Sequence, residues 1–109
     1  MAELTKETEE KIAQLQLLEQ SLQSFLVQKQ NMQTQLFEIE TALKELGKTD
    51  NAYRIIGNIM VKSSRDELKK DLEQKKSMID LRIKNIEKQE EKIREKVKSL
   101  QQEVLQKMK

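Results

Sequence analysis

Ten residues, Tyr53–Lys62, are the one place where this sequence stops reading as helix, and that break decides what the chain can fold into. Tyr53, Ile55, Ile56, Ile59 and Val61 are aromatic or β-branched, and Gly57-Asn58 divides them into two short runs. A two-residue Gly-Asn connection suits a tight hairpin turn, because Gly tolerates φ > 0 at the first corner. The expected pairs are Ile56 with Ile59, Ile55 with Met60, Arg54 with Val61 and Tyr53 with Lys62, so both faces of the ribbon carry apolar side chains. A lone two-stranded hairpin is marginal in water and leaves two edges unpaired. No third strand is offered elsewhere in the sequence. Tyr53, Ile55, Ile56, Ile59, Met60 and Val61 are therefore candidate oligomerisation residues, with the hairpin completed by hairpins of other chains. The competing reading, a connector folded onto its own helices, has no need of so many β-formers.

Long helical arms flank the break. The first, about residues 2–46, repeats apolar residues at steps of three and four: Leu15, Leu18, Leu22, Phe25, Met32, Leu36, Ile39, Leu43 and Leu46. This is a heptad seam broken only by Lys29. Gly47 is placed to end it. The second arm, about 65–108, opens with Ser64-Arg65-Asp66-Glu67, a capping-box pattern. Its seam runs Leu72, Ile79, Ile83, Ile86, Ile93, Val97, Leu100 and Val104, with Lys76 and Glu90 as polar members. Residues 1–47 hold four Lys against eight Glu, and the rest of the chain holds 17 of the 21 bases and 11 of the 19 acids. Opposite net charges favour packing arm against arm.

If the arms fold back antiparallel, facing seam residues share a constant index sum. A sum of 115 pairs Leu43 with Leu72, Leu36 with Ile79, Met32 with Ile83, Leu22 with Ile93, Leu18 with Val97 and Leu15 with Leu100. The same register sets Lys29 and Glu90 about one layer apart. Two outcomes are open for them: an ion pair across the seam that pins register, or separate excursions of each head to water. The expected architecture is all-α dominated: a long antiparallel two-helix coiled coil joined by a single β-hairpin, at about residues 52–62, within one domain, 1–109.

The composition excludes much. Charged residues make up 37% and aromatics 3%, with no Pro, Cys, Trp or His. Such a chain cannot build an ordinary globular core and matches long helices. Without Cys or His there is no thiol nucleophile, and the commonest general base and metal ligand are missing. No phosphate loop or nucleophile–base pair is present, so the expectation is no enzyme, no catalytic residue, no cofactor and no metal. No apolar run approaches the roughly 20 residues of a membrane span. The basic second arm lacks an Arg cluster or interleaved aromatics, against a nucleic-acid grip. A cytoplasmic protein with no nucleic-acid or membrane partner is expected. Toward the open end the seam degrades: Lys11 faces Val104, and Thr8 faces Lys107. Leu4, Ile12, Leu105 and Met108 are apolar there without a complete partner set. They are either scattered surface hydrophobes or an apolar gripping surface.

Tyr53-Arg54-Ile55-Ile56-Gly57-Asn58 followed by Ile59-Met60-Val61-Lys62 resembles the hairpin of prefoldin β subunits. Leu81-Arg82-Ile83-Lys84 with Glu87-Lys88-Gln89-Glu90 resembles the second helix of that family. The linker has room for one hairpin, where an α-type subunit carries two, so the likeness is to the β type, in its archaeal form. The resemblance implies a heterohexamer of two α and four β subunits, whose hairpins close into intersubunit β-barrels. It implies an ATP-independent holdase: Leu4, Ile12, Leu105 and Met108 would lie at coiled-coil tips that bind unfolded polypeptides and deliver them to a group II chaperonin. The alternative is a structural or tethering coiled-coil protein without chaperone activity, which predicts a simple dimer.

Overall fold

A computed structural model describes residues 5–108. It contains helix α1 (Lys6–Leu46), strands β1 (Ala52–Ile56) and β2 (Ile59–Ser63), and helix α2 (Arg65–Met108). The contacts group into two units, one of Met1–Lys29 with Lys84–Lys109 and the other of Gln30–Ile83.

Helix α1 starts where Thr5 can cap it. The Thr8 amide donates to Thr5 Oγ1 at 3.1 Å, and the acidic residues Glu7 and Glu9 occupy the positive end of the helix dipole. The helix was expected from about residue 2; Thr5 lies outside it, and residues 2–4 lie outside the described range. At the other end α1 stops at Leu46, but Gly47 does not adopt a left-handed conformation. Its amide is instead shared between the carbonyls of Leu43 and Lys44, each at 3.2 Å, and Lys48 donates to Glu45 at 3.0 Å. The last turn tightens to satisfy carbonyls that the helix leaves free. Helix α2 is capped by Ser64, whose Oγ accepts the Glu67 amide at 3.4 Å.

In the unit Gln30–Ile83, Ile39, Ile79 and Ile83 are buried, with Met32, Leu36, Leu43 and Leu72 packed against them. All three seam pairs expected here at index sum 115 fall within this cluster, and Lys76 crosses to Glu40 at 3.6 Å beside it. The hairpin belongs to the same unit. Its register is Ala52–Ser63, Tyr53–Lys62, Arg54–Val61, Ile55–Met60 and Ile56–Ile59. A two-residue turn permits no other pairing. Gly57 has φ of 60° while Asn58 stays out of the positive region, the φ signs of a type II′ turn.

In the other unit the α1 seam positions Thr8, Lys11, Leu15, Leu18, Leu22, Phe25 and Lys29 are all buried or half-buried. So are Ile86, Glu90, Ile93, Val97, Leu100 and Val104 of α2. Cross-links from Glu7 to Lys107 and from Lys11 to Glu103 fix the antiparallel direction.

Candidate functional site

The hairpin is anchored at its base and open above it. Ala52 is buried, and the Arg54 guanidinium pairs with the Asp71 carboxylate of α2. Arg65 braces the entering loop by donating to the Thr49 carbonyl at 3.4 Å. Beyond this base, Tyr53, Ile55, Ile56, Ile59, Met60 and Val61 are all exposed, Ile55 to 70%. The sheet has only two strands, so each has one unpaired edge. β-branched residues on both faces, which would normally be covered on at least one, here face solvent on both. A groove runs beside the strands, lined by Ala42 and Leu46 of α1, Leu72 and Met78 of α2, and Tyr53, Ile55 and Ile56. Tyr53, Ile55 and Met60 lie on one face of the ribbon and Ile56, Ile59 and Val61 on the other. The six residues assigned to oligomerisation thus form two exposed apolar faces, beside a groove that also carries Glu45, Arg54, Asp71 and Lys75.

At the open end, Leu105 and Met108 of α2 are exposed and Ile12 of α1 is half-buried. Leu4 lies outside the described residues. The polar seam members there are not unpartnered. Thr8 is only 2% exposed, and its hydroxyl lies 2.9 Å from Thr5 Oγ1. Lys11 Nζ lies 3.2 Å from Glu103 and 3.4 Å from Glu7, and Lys107 Nζ lies 3.2 Å from Glu7. The Lys107 and Lys11 hydrogen bonds hold the Glu7 carboxyl below its usual range, and the Glu103 hydrogen bond raises the Lys11 ammonium. The seam that reads as degraded in one dimension is closed by charge in three. Sequence reasoning missed this because long charged side chains choose partners that lie off the seam.

It also missed apolar residues outside the heptad pattern. Leu17 and Phe37 of α1, and Met78 and Leu81 of α2, are exposed on the helices. Their off-seam positions were the available signal. Among the described residues no group of three or more Asp, Glu, Cys or His could hold a metal ion, and no helix is long and apolar enough to cross a membrane.

Three comparisons with known proteins agree. A sequence model of the family described as "Prefoldin subunit" matches residues 9–109. The chain is 38% identical over 107 residues to the prefoldin subunit beta of Archaeoglobus fulgidus, covering 95% of this chain and 92% of that one. It is 33% identical over 107 residues to the prefoldin subunit beta of Pyrococcus furiosus, with the same two coverages, 95% and 92%. The crystal structure of the prefoldin beta subunit from Thermococcus strain KS-1 superposes with a TM-score of 0.87 at 30% identity, over 95% of this chain and 94% of that one.

Proposed function

The chain belongs to the prefoldin family of chaperone subunits, and from that premise we propose that it is the β-type subunit of a cytoplasmic heterohexamer of two α and four β subunits. In that assembly the hairpins close into β-barrels, which pair the free edges and cover both apolar faces. The helix ends then hold unfolded polypeptides without ATP and deliver them to a group II chaperonin.

The observation that carries this reading is the open hairpin. Six large side chains exposed on a two-stranded sheet form a surface that a lone chain in water disfavours, since each is worth about 1.5–3 kcal/mol when buried. A tethering coiled coil closed through its seam alone has no use for it. The client-holding part rests on Leu105 and Met108, exposed at the open end. A flexible, polarizable Met suits partners of no fixed shape, and several weak grips on one body act together through effective concentration.

The test is to assemble the chain with a prefoldin α subunit, weigh the complex, and measure aggregation of a chemically unfolded client without nucleotide. Leu105→Ser with Met108→Ser is expected to leave the hexamer mass unchanged and to abolish most protection. Undiminished protection in that variant would refute the assignment of the helix ends as the holding surface. A dimer in place of the hexamer would favour the tethering function.

A further inference from the structure

We propose that Arg54 and Asp71 are a positioning pair for assembly: their ion pair is a strut that sets the pitch of the hairpin against α2, and a partner subunit adds to the hairpin only at that pitch. The inference rests on the reading of the hairpin as the assembly element.

The chain leaves that pitch to very few contacts. Strand β2 ends at Ser63 and α2 begins at Arg65, so Ser64 alone joins them. On the other side, residues 47–51 form a loop from α1 into β1. Every side chain of β2 except Ser63 is exposed. On β1 only Ala52 is buried and Arg54 half-buried. Ala52 lies at the foot of the ribbon. Arg65 braces the loop and not the strands, through the Thr49 carbonyl at 3.4 Å and the Asp50 carboxylate at 3.8 Å. Among the described residues Arg54 is therefore the outermost polar tie between ribbon and helix. It spans the groove, with Arg54 on the β1 wall and its partner Asp71 on the α2 wall.

Pitch matters because the ribbon is a lever. Each strand has five residues and spans about 17 Å, so a tilt of about 20° at the foot carries the tip about 6 Å, further than the roughly 4.8 Å between paired strands. A hairpin free to tilt that far offers its edge in the wrong place for the next strand, and ordering it on assembly costs conformational entropy. The pair also answers an electrostatic difficulty. Ala52, Arg54 and Ile56 share one face of the ribbon with Ile59, Val61 and Ser63. Arg54 is the only charge on that face. A subunit that covers the face takes Arg54 out of water, and a desolvated charge without its partner is strongly unfavourable. In the single chain the two side chains are 41% and 45% exposed, and ion pairs this open contribute little to stability. The effect of the pair therefore falls on assembly and not on the fold.

The test combines the chain with a prefoldin α subunit and reads the concentration at which the complex dissociates, by mass photometry. Thermal unfolding of each variant chain alone, followed by helical circular dichroism, reports the fold separately. Asp71→Asn removes the charge and keeps the shape. Asp71→Arg sets two like charges against each other, and Arg54→Asp with Asp71→Arg exchanges the partners. Asp71→Asn should raise the dissociation concentration about fivefold and Asp71→Arg about tenfold or more, because each leaves Arg54 unpaired under the covering subunit. The exchange should recover most of that loss, and the unfolding temperature of the chain alone should be the same in all of them. Full assembly of Asp71→Arg, an exchange no better than the single change, or an unfolding temperature that falls in step with assembly overturns the strut. Ile56→Lys with Ile59→Lys is the reference for the hairpin itself. If it dissociates the complex while Asp71→Arg is silent, the strut falls and the hairpin stands as the assembly element. If both variants assemble fully, both readings fall.

Discussion

The Nζ of Lys29 lies 2.8 Å from Oε1 of Glu90, inside a seam whose neighbouring members Phe25, Ile86 and Ile93 are apolar. Glu90 is 2% exposed, and its second oxygen lies 3.7 Å from Arg94 Nη2. Of the two outcomes open from sequence, the cross-seam ion pair is the one found. Lys29 keeps some access to water, with 20% of its side chain exposed. Glu90 depends on its partners, so replacing Lys29 by Met leaves a buried carboxylate with only a distant Arg. That change should cost roughly 2–4 kcal/mol, while the double change Lys29→Leu with Glu90→Leu should be neutral or stabilising. Chemical denaturation of both variants checks the asymmetry. Equal losses in the two would mean that the pair contributes packing rather than register.

Register itself can be trapped. Leu18 and Val97 are both half-buried in the seam and sum to 115. Cysteines at these two positions should form a disulfide within one chain on mild oxidation, since antiparallel packing at this register sets them face to face. Mass spectrometry of the digested product distinguishes intrachain from interchain links. Predominantly interchain products would overturn the two-helix hairpin.

Ile56 and Ile59 form the last hydrogen-bonded pair before the turn, and both are exposed in the single chain. Replacing both with Lys should release monomers from the complex and leave helical circular dichroism nearly unchanged, because both side chains are largely exposed and lie outside the buried cluster of Ile39, Ile79 and Ile83. A native mass at equal concentration would show that the hairpin is not the assembly element.

Gly57 is the turn's one left-handed residue, with φ of 60° and open space around the position of a Cβ. The penalty for Gly57→Ala is therefore conformational and not steric, about 1–2 kcal/mol. The expected result is a complex that dissociates at several-fold higher concentration than the parent, read by mass photometry. Unaltered dissociation would place the turn outside the folded interface.

The open end should respond to pH at both extremes. Lys107, with Lys11, holds the Glu7 pKa below the ordinary 4.5, so Glu7's contribution is present above that value and is lost as pH falls through the lowered pKa. Glu103 holds the Lys11 pKa above the ordinary 10.5, so its contribution is complete below 10.5 and is lost as pH rises through the raised value. Methyl NMR of Thr8 and Val104 should therefore be flat across neutral pH and shift in strong acid, with added salt reproducing the acid effect. A transition near pH 7 would contradict the assignment of these groups.

The apolar repeat by itself determined the two helices, the seam and its register, because a heptad pattern states which side chains face inward and an antiparallel fold leaves one index sum that matches them. The Gly57-Asn58 turn likewise determined the strand pairing, since a two-residue connection permits a single alignment. The tertiary structure decided what the polar positions do. Lys29 and Thr8 both read as defects of the seam, yet one is paired with Glu90 and the other is buried beside Thr5. It also decided that Gly47 ends its helix by sharing its amide between two carbonyls instead of turning left-handed. The physical reason is reach. Apolar burial follows from the direction of each Cα–Cβ bond, which periodicity encodes. A long charged side chain can satisfy itself several ångströms off its own axis, and only the packed helices establish which opposite charge is there.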